Sequence, residues 1–63
     1  TPGVMRSVQT ALQREGFYNG PIDGTLGPAT MSAVDAYQRA EGLATGGLTL
    51  ETVRKLKVPL FTS

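Results

Sequence analysis

Gly16-Phe17-Tyr18-Asn19-Gly20-Pro21-Ile22-Asp23-Gly24-Thr25-Leu26-Gly27-Pro28 is the stretch on which the architecture hangs. It holds four glycines and two prolines within thirteen residues. Neither a helix nor a strand runs through such a composition. Asn19-Gly20 and Asp23-Gly24 each predict a tight turn with glycine at positive φ. Ile22 and Leu26 are apolar islands, expected to pin the segment to a core. The stretch therefore reads as an ordered loop rather than a flexible linker.

On either side the periodicity is helical. Upstream, Val4, Val8, Ala11 and Leu12 share one face, and a helix is predicted over 2–15. Arg6, Gln9, Thr10, Gln13 and Arg14 fall mostly on the opposite side. Thr1 and Pro2 suit an N-cap and first turn. Gly16 supplies the left-handed stop, with Phe17 folding back on Leu12. Downstream, Thr30, Ala33, Val34 and Tyr37 lie on one stripe, giving a helix over 28–41 that starts at Pro28 and stops at Gly42-Leu43. A short third helix is predicted over 50–57, capped by Thr49, with Glu51 in its first turn and Arg54, Lys55 and Lys57 near its end. Val53 and Leu56 point inward, and Pro59 is expected to end it.

The turn repeats. Asp23-Gly24-Thr25-Leu26-Gly27-Pro28-Ala29-Thr30 has a partner 22 residues on, Thr45-Gly46-Gly47-Leu48-Thr49-Leu50-Glu51-Thr52. Leu12-Gln13-Arg14-Glu15-Gly16-Phe17 is echoed by Tyr37-Gln38-Arg39-Ala40-Glu41-Gly42-Leu43 with one extra residue. Repeated units of this kind bury a core that neither could build alone. The expected fold is all-α: a compact three-helix bundle with an ordered loop between helices one and two. Residues 1–58 form the domain and 59–63 a tail or linker stub.

Composition narrows the function. At 63 residues the chain is one domain, without space for a large enclosed cavity. The net charge of +1 gives no electrostatic case for nucleic acid or an anionic membrane. With no cysteine and no histidine, the thiolate metal site, the disulfide and the commonest general base are all removed. Ser7, Ser32 and Ser63 have no histidine to activate them, and the carboxylates are scattered. The loop also fails the calcium pattern, since only Asn19 and Asp23 are plausible ligands and no bidentate glutamate follows. No enzyme activity, cofactor or metal is expected. The apolar stretches are too short to span a bilayer. The chain opens on Thr1, so an export signal and a covalently linked partner domain are expected outside it.

The ordered set Leu12-Gln13-Arg14-Glu15-Gly16-Phe17-Tyr18, Asp23 to Thr30, Ala33-Val34-Asp35-Ala36-Tyr37-Gln38 and Gly42-Leu43 resembles the peptidoglycan-binding domain family. The likeness covers roughly Val4 to Leu56. Two departures stand out: Tyr37 where phenylalanine is usual, and a second turn with Thr45 in place of aspartate and Thr49 in place of the glycine before helix three. The resemblance implies a three-helix fold, non-covalent binding of cell-wall peptidoglycan, no catalysis of its own, and a periplasmic or extracellular place in the envelope. Glycan strand and stem peptide would both be partners.

Candidate ligand contacts are Tyr18, Asp23, Gly24, Thr25, Leu26, Thr30, Tyr37 and Gln38. Each also has a purely structural reading. Asp23 can close its own turn on backbone amides. Thr30 can bond back to the loop. Phe17 and Tyr37 can be core. Tyr18 should point opposite to Phe17, and so be exposed if Phe17 is buried. Gln38 can bond loop backbone, or point its amide at a stem peptide. Two other functions compete: an envelope protein-interaction module that keeps the fold without the wall ligand, and a helix-turn-helix nucleic-acid binder. The second lacks a basic recognition helix, since Asp35 and Glu41 oppose Arg39 alone.

Overall fold

The computed structural model describes residues 2–58. Three helices follow one another: α1 (Pro2–Arg14), α2 (Pro28–Glu41) and α3 (Leu50–Lys55). No strand occurs among the described residues. The Thr1 cap and the Pro59 stop expected from sequence lie outside them.

All three helices end in the same way. At the end of α1 the Gly16 amide donates to the Gln13 carbonyl at 3.0 Å and the Phe17 amide to the Leu12 carbonyl at 2.8 Å. Gly16 takes φ 87°, the left-handed conformation that a Schellman stop requires. After α2, Gly42 (φ 72°) and Leu43 repeat the pattern on Arg39 and Gln38, at 3.3 and 2.7 Å. After α3 the pattern appears a third time, on Arg54 at 2.9 Å and Val53 at 3.3 Å, from Lys57 and Val58. Here a lysine stands where the others use glycine, with φ 62°. The third helix thus stops at a left-handed Lys57, before the proline to which the sequence assigned the stop.

Each stop throws an apolar residue back onto the core. Val8, Ala11 and Leu12 from α1 meet Ala33, Val34 and Tyr37 from α2, and Val53, Leu56 and Val58 close the third side. Phe17, Leu43 and Leu48 pack around this cluster. The Phe17 ring meets Tyr37 edge to face, centroids 5.5 Å apart at 84°, an arrangement favoured by the ring quadrupoles. Tyr37 is therefore core. Burial, with the charges of Glu41 and Glu15 adding to it, pushes its phenol above the ordinary range.

Tyr18 overturns one expectation. It is only 4% exposed, whereas Phe17 is half-buried. The Tyr18 hydroxyl donates to the Pro21 carbonyl at 2.7 Å, so the ring lies under the loop as its support. This also corrects the reading of Gly20, which is not among the glycines at positive φ. Space is what demands glycine there: a Cβ would sit 2.5 Å from the Tyr18 hydroxyl oxygen and 2.7 Å from its ring. Ile22 packs on the core as expected, but Leu26 does not, remaining 43% exposed.

Candidate functional site

The loop is held by a residue that the sequence pattern assigned to the solvent side. Gln9, on α1, is fully buried. Its Oε1 accepts the Gly24 amide at 2.8 Å. Its Nε2 donates towards the Thr25 carbonyl (2.9 Å), Thr30 Oγ1 (3.0 Å) and Asp23 Oδ1 (3.1 Å). The Tyr18 hydroxyl lies 3.5 Å away, the weakest of the set. An amide nitrogen has two hydrogens, so these bonds are shared. Asp23 Oδ1 also accepts the Thr25 amide at 2.9 Å, closing an Asx turn, and Thr30 Oγ1 donates to the Thr25 carbonyl at 3.3 Å. The bonds from the Thr25 amide and Gln9, with a smaller effect from the Arg6 charge, hold the Asp23 carboxyl below its usual range.

One buried amide therefore gathers Asp23, Gly24, Thr25 and Thr30 at the start of α2, with Tyr18 beneath. The outer face of this cluster is a ledge. Asp23 and Thr25 are exposed, Leu26 follows them as an exposed apolar side chain, and the side-chain hydrogen bonds of Asp23 among the described residues run through Oδ1. The signal that could have placed Gln9 inside is Met5. Met5 and Leu12 lie four residues before and three after it, and both pack in the core region, so Gln9 sits on the flank of the apolar stripe.

Gln38 occupies the matching place in the second half. It is fully buried, and its Nε2 donates to the Gly47 carbonyl at 2.7 Å and to Thr52 Oγ1 at 2.9 Å. Thr49 caps α3, accepting the Thr52 amide at 3.2 Å. Of the eight candidate residues, the structure brings Tyr18, Asp23, Gly24, Thr25 and Thr30 together around Gln9, with Leu26 on the rim. Tyr37 goes to the core and Gln38 to the second turn. Gln13, which echoes Gln38 in sequence, is exposed; Gln9 is its structural counterpart.

Among the described residues no group of acidic side chains could hold a metal ion, and no helix is long and apolar enough to cross a membrane. A buried glutamine amide thus bonds each of the two Gly turns. Comparison with known proteins bears on what the ledge is for, since residues 3–56 match the model of the peptidoglycan binding domain. The chain belongs to the peptidoglycan-binding domain family. It is 45% identical over 51 residues to the localization factor PodJL of Caulobacter vibrioides, covering 79% of this chain and 5% of that protein. It is also 45% identical over 51 residues to the N-acetylmuramoyl-L-alanine amidase CwlM of Mycobacterium tuberculosis, 79% of this chain and 13% of that protein. This chain therefore spans only a small part of the length of these relatives. No solved structure matches it.

Proposed function

We propose that this domain binds cell-wall peptidoglycan without catalysis and anchors or targets a larger envelope protein or hydrolase to the wall. The observation that carries the reading is the ledge fixed by Gln9. It offers an ionised Asp23, the Thr25 hydroxyl and the apolar Leu26 side by side on a turn already ordered before any ligand arrives. Sugar hydroxyls and amide N–H groups suit Asp23 Oδ2, and a sugar face or an alanyl methyl suits Leu26. Preorganisation removes part of the ordering cost of binding. Tyr18, Thr30 and Gln9 act behind the ledge as supports. The contact area is small, so single-domain affinity should be weak, and anchoring would rely on further modules or a partner domain. The place of action on this reading is the cell envelope, periplasmic or extracellular.

Sedimentation with purified sacculi tests it. The domain should co-sediment at low salt, and the pair Asp23→Ala and Leu26→Ser should shift it to the supernatant while remaining folded. A folded wild-type domain that stays in solution would overturn the reading.

A second reading has one observation in its favour: a relative at 45% identity is named a localization factor, not a wall enzyme. The ledge would then serve protein–protein contact in the envelope. Retention by envelope protein, with no retention by protein-free sacculi, would select it.

A further inference from the structure

On the side of α1 that faces the stop of α3, the two border an open cleft of about 280 Å³. Three of the six basic residues of the chain line it: Arg6, Arg14 and Lys57. Arg6, Thr10 and Arg14 are spaced by four residues, which places them in one row along α1. Between the cations lie the apolar side chains of Ala11, Leu56 and Val58. Among the described residues none of the three cations forms an ion pair, whereas Arg39 and Lys55 pair with Asp35 and Glu41.

A second observation comes from the backbone. Lys57 is the one non-glycine residue at positive φ among those described. The two sister stops use glycine at this position, which relieves a penalty of roughly 1–2 kcal/mol that a side chain incurs there. The chain keeps a lysine in the strained place, and that lysine lines the cleft. Strain retained at one position of three equivalent ones points to a use for the side chain.

We propose that this cleft is a second binding site, for a peptide carboxylate, with Arg6, Arg14 and Lys57 facing the anion and Ala11, Leu56 and Val58 taking a small apolar side chain beside it. The volume suits one or two residues of peptide rather than a drug-sized ligand. The apolar floor favours a carboxylate carrying methyl or methylene groups over a bare inorganic anion. The site deepens the wall-binding reading, on which its assignment to the stem peptide rests: the ledge takes glycan or amide groups while the cleft takes a free carboxylate of the same polymer.

The test uses the full chain and muramyl dipeptide, which carries one carboxylate, against its neutral carboxamide. Amide shifts in an NMR titration should move at Ser7, Thr10 and Lys57 with the acid and not with the amide. Lys57→Gly should raise the melting temperature yet weaken binding of the acid at least threefold; Arg14→Gln, on an exposed side chain, should weaken it similarly with the melt unchanged. Equal binding of acid and amide, unchanged affinity in both variants, or tighter binding of inorganic phosphate than of the acid would overturn the proposal. Sacculus sedimentation separates this from the broader reading. If wild type and both variants sediment alike, wall binding stands and the cleft falls. If wild type stays in solution but still takes the acid at these residues, the cleft stands and its assignment to the wall falls.

Discussion

At residues 23–25 the turn is tied by both ends of the Gln9 amide, whereas at residues 45–47 only the nitrogen end of the Gln38 amide is tied. In both halves the amide nitrogen reaches a turn carbonyl and a threonine hydroxyl at the start of the next helix, Thr25 and Thr30 in one, Gly47 and Thr52 in the other. The amide oxygens differ. Gln9 Oε1 receives the Gly24 amide, but Gln38 Oε1 is buried with no partner among the described residues. Thr45 stands where the first turn has Asp23. Asp23 Oδ1 pulls the Thr25 amide inward and shapes a turn with one left-handed glycine, φ 76° at Gly24. The second turn has no such carboxylate and runs through two, φ 108° and 144° at Gly46 and Gly47. The rims differ too: Leu26 faces outward, whereas its counterpart Leu48 packs against the core. A shared clamp is thus finished with both amide ends bonded and an outward leucine in one half, and with the nitrogen end bonded and an inward leucine in the other.

The largest effect should come from removing the clamps. Gln9→Ala leaves the Gly24 amide, the Thr25 carbonyl and Thr30 without their buried partner, and we expect a loss of about 3 kcal/mol. Gln38→Ala strands fewer groups and should cost about 2 kcal/mol. Urea denaturation of the two variants checks the order. Equal losses, or a larger loss at Gln38, would break the claim that the halves are finished differently.

Next in size is the pillar under the first turn. Tyr18→Phe removes the hydroxyl that donates to the Pro21 carbonyl, and should cost about 1 kcal/mol in a thermal melt. An exposed ring, as the alternation with Phe17 suggested, would show no such loss.

Acid should also discriminate between the halves. The Asp23 carboxyl is held low by the Thr25 amide and Gln9, so its stabilising contribution is complete above the unfolded-chain value of about 4 and disappears as pH falls through the lower folded value. Asp23→Asn keeps an acceptor for the Thr25 amide but cannot titrate. Stability measured from neutral pH down to about pH 2 should fall less steeply in that variant, and a parallel acid profile would refute the role assigned to the carboxylate.

Much of this was legible in the residue order. Helix α2 begins at Pro28 and ends at Glu41, as the Gly27-Pro28 and Gly42-Leu43 signals require. Thr30 and Gln38 take the structural roles read for them, bonding loop backbone. Three things were not legible, for separate reasons. Gln9 hid because a polar residue at the flank of an apolar stripe looks solvated until its partners, 9 to 21 residues away, are known. Tyr18 hid because strand-like alternation was applied to a loop, where ring placement follows the carbonyl that the hydroxyl can reach. Lys57 hid because stop signals in sequence are glycine and proline, and a left-handed lysine carries neither mark. Where the wall ligand would contact the ledge rests on geometry and chemistry rather than on residue order.

The smallest predicted effect is the most specific. Thr45→Asp supplies the second turn with the acceptor that the first one has. An Asx bond from Asp at that position to the Gly47 amide would redraw the turn towards that of residues 23–25 and bring the Gly46 amide to the unpartnered Gln38 oxygen. Forming one hydrogen bond on a buried acceptor is worth about 1 kcal/mol, less the cost of reshaping two glycines. A net gain of a few tenths of a kcal/mol is therefore expected, together with slower hydrogen exchange at Gly46. Placing the same substitution over Gln38→Ala isolates the mechanism, because the gain should vanish when the amide oxygen is gone. A gain that persists there would mean that the aspartate stabilises the turn by itself, and that the difference between the two halves does not run through the buried glutamines.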